Sequence, residues 1–261
     1  MDSSQKYKIK IFVISIIDNK RREHIIKEFK KFNLTFEFID AVNGRELNLE
    51  TDPRVNFEKV KKHPKWLTPG MVGCSLSHIK CYQKIITENI DYALICEDDI
   101  CLNTDINTII DAVSKTMSSQ DITMFFYQCW EKIILNSKDA IPLSPQFTLH
   151  RTSGRLPLVS TAGYMIGQSA CKKMIENLLP IHTGPDVWKD FYIKGFISGI
   201  NVLYPMPLGN AHFASTIDYP KNKIMAAATK VIEKYKIPYL YNYLIQRRKN
   251  TYSHMTQVVV S

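Results

Sequence analysis

The feature that most constrains the fold is a dense run of β-branched and other apolar residues between positions 9 and 17. Such a run is typical of a strand that is buried on both faces of a sheet. Asp18 or Asn19 can cap a following helix, in which apolar residues recur at helical spacing as far as Phe32. A second strand over residues 35–41 completes a β-α-β unit. This unit implies a parallel sheet that binds a nucleotide or another substrate at the carboxyl ends of its strands.

The rest of the chain continues this alternation after a polar loop between residues 44 and 69. The spacing of apolar residues predicts helices over 76–86, 106–117, 169–179 and 186–194, and strands over 92–96, 122–127 and 159–166. Residues 129–158 show no regular period, and we assign them no structure. The predicted fold class is α/β, with one domain over 1–220 and a short basic C-terminal extension over 221–261.

The positive charge of the chain is concentrated in this extension. The 261 residues include 34 Lys and Arg against 25 Asp and Glu, which gives a net charge of +9. Residues 221–261 hold eight of the basic side chains and one acidic side chain, or +7, which leaves +2 for residues 1–220. A nearly neutral body argues against nucleic acid as a partner, because nucleic-acid-binding domains spread Lys and Arg over the folded face.

Aromatic and basic side chains adjoin each other within the extension. A predicted helix ends at Pro238, and residues 239–245, which are rich in Tyr and Leu, are followed by Arg247, Arg248 and Lys249. Aromatic residues beside a basic cluster fit an anionic membrane surface. A terminal helix that packs on the body is the alternative, and the sequence does not decide between the two.

Two further patterns concern the cellular compartment. The sequence opens on MDSSQKYKIK, which has no apolar core of a secretory signal, and its six Cys include no C-x-x-C pair. Free thiols in a reducing compartment are therefore expected. We predict a cytoplasmic protein, which the basic extension can hold peripherally at the cytoplasmic face of the inner membrane.

Several site signatures are absent from the sequence. It contains no G-x-G-x-x-G after the first strand, no G-x-x-x-x-G-K-[ST], no G-x-S-x-G and no H-E-x-x-H. These absences argue against a Rossmann dehydrogenase, a P-loop NTPase, an α/β-hydrolase and a zinc protease of the H-E-x-x-H class.

Three consecutive carboxylates, Glu97, Asp98 and Asp99, follow the predicted strand over 92–96. Adjacent carboxylates at the end of a buried strand repel one another and lose hydration, so that a bound cation would stabilise them. Oxygen ligands of this kind suit Mg²⁺ or Mn²⁺, with the phosphates of a ligand completing the coordination. A solvated acidic turn is the alternative interpretation.

A glycine-containing segment precedes the helix predicted over 76–86. Gly70 and Gly73 allow close approach of the backbone, and the N-terminus of the helix favours an anion. His78 is a candidate contact to a diphosphate. Capping and packing are its alternative role.

Three later positions are also candidates. In T-A-G-Y at 161–164, Gly163 and Tyr164 offer a small opening and a ring that can stack on a sugar. Asp186 follows a Gly-Pro turn that can aim its carboxylate at a cleft, and His212 is a candidate ligand. The alternatives are a tightly packed strand for Tyr164, a helix cap for Asp186 and a core position for His212.

The order and spacing of these motifs carry a resemblance. They are V-I-S-I at 13–16 followed by Arg21-Arg22-Glu23, G-x-V-G-C-x-x-S-H at 70–78, E-D-D at 97–99 and T-A-G-Y at 161–164. This set resembles the family 25 glycosyltransferases, which include bacterial lipooligosaccharide galactosyltransferases and animal collagen galactosyltransferases. The resemblance extends from Ile9 to Phe213 and leaves out residues 129–158 and the end of the chain.

The resemblance implies a GT-A-type, Rossmann-like nucleotide-binding fold with a mixed central sheet, and UDP-galactose as the donor. The implied contacts to the nucleotide sugar are Val13, Ile14, Ser15, Arg21, Arg22, His78, Glu97, Asp98, Gly163 and Tyr164. Asp99 is the expected ligand of Mn²⁺ or Mg²⁺, and analogy with other GT-A enzymes makes His212 the residue that completes the metal shell.

A mechanism follows from these expectations. The metal would offset the charge on the departing UDP, while Asp186 takes the proton from the acceptor hydroxyl, which gives inversion and a β-linkage. The expected acceptor is a lipid-linked oligosaccharide of the lipooligosaccharide or lipopolysaccharide type. The alternatives are a glucosyltransferase of the same fold that uses UDP-glucose, and a non-catalytic protein that docks on membrane or nucleic acid through its basic extension.

Overall fold

A mixed sheet of eight strands forms the centre of the protein. The computed structural model describes residues 7–17, 19–152, 154, 156–213 and 223–261. The strands are β1 (Ile9–Ser15), β2 (Glu37–Asp40), β3 (Tyr92–Glu97), β4 (Ile100–Leu102), β5 (Asp121–Met124), β6 (Ile133–Leu135), β7 (Ala140–Pro142), β8 (Thr148–Arg151), β9 (Gly163–Gly167), β10 (Gly199–Tyr204), β11 (Leu208–Asn210) and β12 (Val258–Val260). The α-helices are α1 (Asn19–Lys30), α2 (Phe57–Val60), α3 (Pro69–Thr87), α4 (Asn107–Thr116), α5 (Gln168–Leu178), α6 (Trp188–Ile193), α7 (Lys223–Tyr235) and α8 (Leu240–Met255).

The predicted β-α-β unit is present at the start of the chain. Strand β1 pairs in parallel with both β2 and β3, so that Ser15 lies opposite Asp40 and Ile14 lies opposite Glu97. The carboxyl ends of the three strands therefore meet at one edge of the sheet. Asp18, one of the two predicted caps of α1, lies outside the described residues.

The remaining strands of the sheet run in both directions. Its order is β2-β1-β3-β9-β5-β10-β8-β7. Strand β9 is antiparallel to β3 and β5, β10 is parallel to β5, and β8 and β7 extend the other edge in antiparallel pairs. This arrangement confirms the predicted α/β fold with a mixed central sheet.

Side chains pack on both faces of the sheet. Phe12 and Ile14 of β1 belong to one hydrophobic core, which also contains residues of α3, α5 and α6. Ile11 and Val13 belong to the other, which contains residues of α1 and α4. The alternation of β1 between two cores explains why its sequence is apolar at nearly every position.

Helix α3 begins earlier than the sequence predicts. It starts at Pro69, so that Gly70 and Gly73 lie in its first turns and not ahead of it. The side chain of Thr68 caps this end by accepting a hydrogen bond from the Met71 N–H, and proline is compatible with a first helical turn. A Cβ atom on Gly73 would lie 2.7 Å from the Val42 carbonyl oxygen. The glycine therefore lets α3 pack directly on the chain that leaves β2.

The chain beyond residue 222 packs against the body at its far end. Strand β12 pairs in parallel with β6, and the Cys129 N–H donates to the Met255 carbonyl oxygen over 2.7 Å. The ring of Tyr252 stacks on Phe126 with 5.7 Å between the ring centroids. The boundary predicted between residues 220 and 221 lies outside the described residues and stays a prediction. Of the helices that the structure describes, none combines the length and the apolar character needed to cross a bilayer.

Candidate active site

The carboxyl ends of β1 and β3, with the loop after β2, open onto a cavity of about 270 Å³. Its walls are the end of β1, the loop over residues 41–45, the first half of α3 and the turn after β3, with Asn210 and Phe213 on the remaining side. The three carboxylates predicted as a cluster, Glu97, Asp98 and Asp99, all line it. The cavity therefore lies where a parallel α/β sheet usually binds its ligand.

Asp98 is buried and fixed by two neighbours. Its Oδ2 accepts a hydrogen bond from the Ser15 hydroxyl over 2.7 Å, and its Oδ1 forms an ion pair with the Arg21 guanidinium. Burial raises the pKa of Asp98, even though Arg21 and Ser15 favour its charged form. The Arg21 guanidinium also faces the ring of Phe213, 5.3 Å from its centroid. Arg21 and Asp98 thus form a fixed polar wall of the cavity.

Glu97 belongs to a chain of polar side chains that runs into the core. Its carboxylate accepts a hydrogen bond from the Thr161 hydroxyl and lies 3.8 Å from His78 Nε2. The other ring nitrogen of His78 is 2.8 Å from the Tyr164 hydroxyl, which in turn lies 2.7 Å from that of Tyr82. Although burial disfavours its charge, the His78 imidazole and the Thr161 hydroxyl hold the pKa of Glu97 below its usual value.

Asp99 is the carboxylate whose negative charge has the fewest stabilising contacts among the described residues. Its Oδ1 is buried, and no hydrogen-bond partner for it exists among the described residues. Burial and the neighbouring charge of Glu97 raise the pKa of Asp99 to about 7. An unpartnered carboxylate oxygen beside two further carboxylates is costly to bury, and a divalent cation would remove this cost. The oxygen donors at this position fit Mn²⁺ or Mg²⁺.

The main chain brings His212 to the same edge of the sheet. The Ala211 N–H donates to the Asp99 carbonyl oxygen over 2.7 Å, and the His212 N–H donates to Asn210 Oδ1 over 2.6 Å. The φ angle of His212 is 59°, a left-handed conformation that side chains rarely adopt and that often marks functional positions. Burial lowers the pKa of His212, with the nearby charges of Lys249 and Arg248 acting in the same direction, and a neutral ring is the form that binds a metal. Its role as a ligand stays a prediction.

Asp186 lies behind the cavity and is not part of its wall. Its Oδ2 accepts a hydrogen bond from the Ser160 N–H over 3.2 Å, and Ser160 also accepts one from the Trp188 indole over 2.9 Å. Ser160 has a φ of 93° and directly precedes Thr161, which donates to Glu97. Burial raises the pKa of Asp186, and the charge of Glu97 acts in the same direction. Asp186 is therefore connected to the site through two adjacent residues.

Two predicted sugar or nucleotide contacts are inaccessible in this conformation. Tyr164 is completely buried, its hydroxyl is hydrogen-bonded beneath His78, and its ring meets Trp188 edge-on at 4.9 Å. The expectation that this ring stacks on a sugar does not fit its position, because the ring is buried in the hydrophobic core with Tyr82 and Trp188. Val13 is likewise completely buried, so that only its main chain is left to face a ligand.

Three other predicted contacts support the site without lining the cavity. Ser15 holds Asp98, as described above. Gly163 lies against Leu208, and a Cβ atom there would be 2.4 Å from the Leu208 Cδ1 atom. Arg22 forms an ion pair with Asp40 at the end of β2 and lies 4.8 Å from the centroid of Phe38. The predicted contacts to the nucleotide sugar that do line the cavity are Ile14, Arg21, His78, Glu97 and Asp98.

The sequence did not predict several of the lining residues. Asn43, Gly44 and Arg45 line the cavity from the loop after β2. The signal for this loop is the Asn-Gly pair at the end of the strand, and a Cβ atom on Gly44 would lie 2.0 Å from the Pro69 carbonyl oxygen. Cys74 and Phe213 also line the cavity, and no local sequence pattern marks either of them as a lining residue.

Comparison with known proteins identifies the family of the chain. Residues 8–191 match the family model described as "Glycosyltransferase family 25 (LPS biosynthesis protein)". The chain belongs to glycosyltransferase family 25. The matched range contains every motif on which the resemblance was based, including the carboxylates of the cavity and the buried Tyr164.

Individual members of family 25 are similar to this chain over part of its length. A Haemophilus influenzae protein named as a glycosyltransferase is 30% identical over 63% of this chain and 56% of its own length. The Haemophilus influenzae lipooligosaccharide biosynthesis protein lic2B is 32% identical over 64% of this chain and 62% of its own length. The human inactive glycosyltransferase 25 family member 3 is 22% identical over 51% of this chain and 22% of its own length. The chain thus spans less than two thirds of the length of each of these relatives.

Proposed function

We propose that this family 25 member is a metal-dependent, inverting galactosyltransferase. It transfers galactose from UDP-galactose to a hydroxyl of a lipid-linked oligosaccharide in lipooligosaccharide or lipopolysaccharide synthesis and forms a β-linkage. The name of the Haemophilus relative supports this class of acceptor. The cavity at the ends of parallel strands supports binding of a nucleotide sugar.

The observation that carries this proposal is the buried, unpartnered Oδ1 of Asp99 in a cavity with two further carboxylates. Asp99 is the residue that would hold Mn²⁺ or Mg²⁺, and His212 is its proposed companion. The cation would supply positive charge to a departing diphosphate and so lower the barrier to breaking the bond to the sugar. The Arg21 guanidinium, which is paired with Asp98, is a cation that lines the same cavity.

Asp186 is the proposed base. Its carboxylate lies in a partly enclosed position, held by the Ser160 N–H, and a raised pKa brings a carboxylate closer to the pH at which a base works efficiently. In this role its charged form accepts the proton of the acceptor hydroxyl as that hydroxyl attacks the sugar. The hydrogen bond from the Ser160 N–H engages Oδ2 and orients the carboxylate, so that Oδ1 is the atom that would accept the proton.

The pair of helices α7 and α8 is the proposed contact to an anionic membrane surface. Tyr235 of α7, Tyr239 directly before α8 and Tyr243 of α8 are 66%, 87% and 64% exposed, and exposed basic residues lie on both helices. Amphipathic aromatic side chains with neighbouring cations suit the headgroup region of a bilayer. The catalytic body and a lipid-linked acceptor would then be held at one surface.

The function is tested by measuring UDP release and product formation with UDP-galactose and UDP-glucose, each with and without Mn²⁺. We expect turnover with UDP-galactose, dependent on the cation, and a loss of at least about a hundredfold in Asp99→Asn. Asp111→Asn, a change of the same kind on the exposed side of α4, should keep the native rate. Full activity of Asp99→Asn would exclude Asp99 as a metal ligand. Turnover with UDP-glucose alone would mean that the donor is UDP-glucose and not UDP-galactose. No turnover with any nucleotide sugar would favour a non-catalytic member of the family, like the human relative.

A further inference from the structure

Three side chains of different chemistry converge beside the acidic cluster. A sulfur of Cys74, a ring nitrogen of His78 and a carboxylate oxygen of Glu97 all lie within 4.8 Å of one another. Cys74 and His78 are one turn apart on α3, so that both point from the same face of the helix towards the end of β3. All three residues line the cavity.

Among the described residues, the His78 ring is held by a hydrogen bond at only one of its two nitrogens. His78 is only 2% exposed, and its Nδ1 is held by the Tyr164 hydroxyl, which Tyr82 supports in turn. Its Nε2 is buried and has no hydrogen-bond partner in the part of the chain that the structure describes, although it faces Glu97 at 3.8 Å. A buried nitrogen without a partner is costly. Metal-binding histidines usually donate their other ring N–H to an outer acceptor, and the Tyr164 hydroxyl can be that acceptor for His78.

We propose that Cys74, His78 and Glu97 form a Zn²⁺ site that is separate from the cation site at Asp99. Sulfur, imidazole and carboxylate are the ligand types that zinc prefers, whereas Mn²⁺ and Mg²⁺ prefer oxygen. Zinc bonds of about 2.0–2.3 Å place tetrahedral ligand atoms roughly 3.5 Å apart, which small side-chain shifts reach from the present spacing. Three protein ligands leave the fourth position open towards the cavity.

Binding is balanced in charge and in protons. The Cys74 thiol loses its proton to solvent as the zinc–sulfur bond forms, the neutral imidazole binds through Nε2, and the Glu97 carboxylate contributes the second negative charge. The two negative ligands neutralise the two positive charges of the ion.

Zinc in this position would compete with any ligand that fills the cavity. Its three ligands occupy the wall between the first turns of α3 and the acidic turn, and a fourth ligand from solvent would extend into the 270 Å³ space. We therefore expect Zn²⁺ to weaken binding of the nucleotide sugar. This consequence rests on the proposed function, whereas the metal site itself does not.

Co²⁺, which replaces Zn²⁺ in such sites and absorbs light, is the direct probe. The full chain should develop the near-ultraviolet charge-transfer band of a cobalt–thiolate bond, and added Zn²⁺ should remove it. Cys74→Ser should abolish the band and weaken Zn²⁺ binding at least about tenfold, because loss of a ligand costs no less than loss of an outer contact. Cys101→Ser, which alters a half-buried thiol outside the cluster, should behave like the native chain.

A second measurement on the unaltered chain does not depend on how any variant folds. X-ray absorption at the zinc edge of the Zn²⁺-loaded full chain should show one sulfur ligand at about 2.3 Å and nitrogen and oxygen ligands at about 2.0–2.2 Å. No cobalt–thiolate band, a band that persists in Cys74→Ser, or a zinc coordination shell without sulfur would each overturn the site. Nucleotide-sugar binding that Zn²⁺ does not change would overturn only the competition.

Discussion

At the scale of single residues, three consecutive carboxylates are held in three different ways. Asp98 is fixed by an ion pair, Glu97 by a hydroxyl and a nearby imidazole, and Asp99 has a buried oxygen with no described partner. Their differences come from residues far away in sequence, namely Arg21, Thr161 and His78. The sequence predicted the cluster and its place after β3, because a strand followed by acidic residues is a local pattern.

Asp186 leads to a prediction about pH. A base acts only in its deprotonated form, and since its pKa is raised by burial and by Glu97, with His78 opposing, activity should increase with pH through a value above that of an ordinary aspartate. We expect the acid side of the pH profile of kcat/KM, measured at saturating Mn²⁺, to show this pKa. Asp186→Asn should reduce kcat by about a hundredfold or more.

The contrary result is a rate that does not depend on residue 186. If Asp186→Asn keeps the native kcat and the native acid limb, another group takes the proton. Asp190→Asn, an exposed change four residues later, is the matched control and should leave both quantities unaltered.

At the scale of elements, the first turns of α3 determine the shape of the cavity. Gly73 and Gly44 let the helix and the loop after β2 approach each other until their backbones are in contact. Sequence periodicity predicted α3 only from residue 76, because glycine and serine in its first turns lack the apolar period. Strands of three residues, such as β6 and β7, are too short to show a period, which is why residues 129–158 gave no prediction.

Gly73→Ala tests this packing. Alanine favours a helix by about 1 kcal/mol over glycine, but its Cβ would lie 2.7 Å from the Val42 carbonyl oxygen and 2.8 Å from the Gly44 nitrogen. Because both are backbone atoms, we expect a net loss of about 1–2 kcal/mol in the free energy of unfolding, measured with urea. Gln83→Ala, exposed on the same helix, should change it by less than about 0.5 kcal/mol.

The opposite sign would be decisive for Gly73→Ala. A gain of about 1 kcal/mol, as helix propensity alone gives, would mean that the loop over 42–45 moves freely. The cavity wall would then be adaptable, and a nucleotide sugar would bind without a preformed site.

At the scale of the whole molecule, the last strand of the chain pairs with a strand from its middle. Strand β12 pairs with β6, and three further main-chain hydrogen bonds outside this ladder join residues 257–261 to residues 133–137. The sequence predicted the helix that ends near Pro238 and its basic, aromatic character. It did not predict this pairing, because nothing local marks residues 133–135 as its partner.

Deletion of residues 257–261 tests this pairing. Loss of the β12–β6 ladder together with these three hydrogen bonds should cost at least about 2–3 kcal/mol, and Tm should fall by about 2–4 °C for each kcal/mol. Hydrogen exchange at residues 133–137 should become faster. Val259→Ser, which alters an exposed side chain of β12 and keeps its backbone, should leave both unchanged, and an unaltered Tm after the deletion would contradict the prediction.

The exposed tyrosines at the N-terminal end of α8 give a prediction about membranes. Replacing Tyr239 and Tyr243 together by Ser should weaken binding to vesicles that contain anionic phospholipid by at least about tenfold, since partial burial of two rings contributes on the order of 2 kcal/mol. Replacing Trp66 and Trp130, which are exposed elsewhere, should have little effect. Equal loss in both double variants, or no loss in either, would remove α8 as the contact.

The pairing of β6 with β12 also sets an order of events during synthesis. The two strands begin 125 residues apart, at Ile133 and Val258, and β6 has no other strand partner among the described residues. A ribosome therefore exposes the edge of β6 long before its partner emerges, and an unpaired edge is where chains associate wrongly. In that interval, after β6 has left the ribosome and before β12 arrives, the nascent chain carries an unpaired strand edge of the kind that chaperones shield.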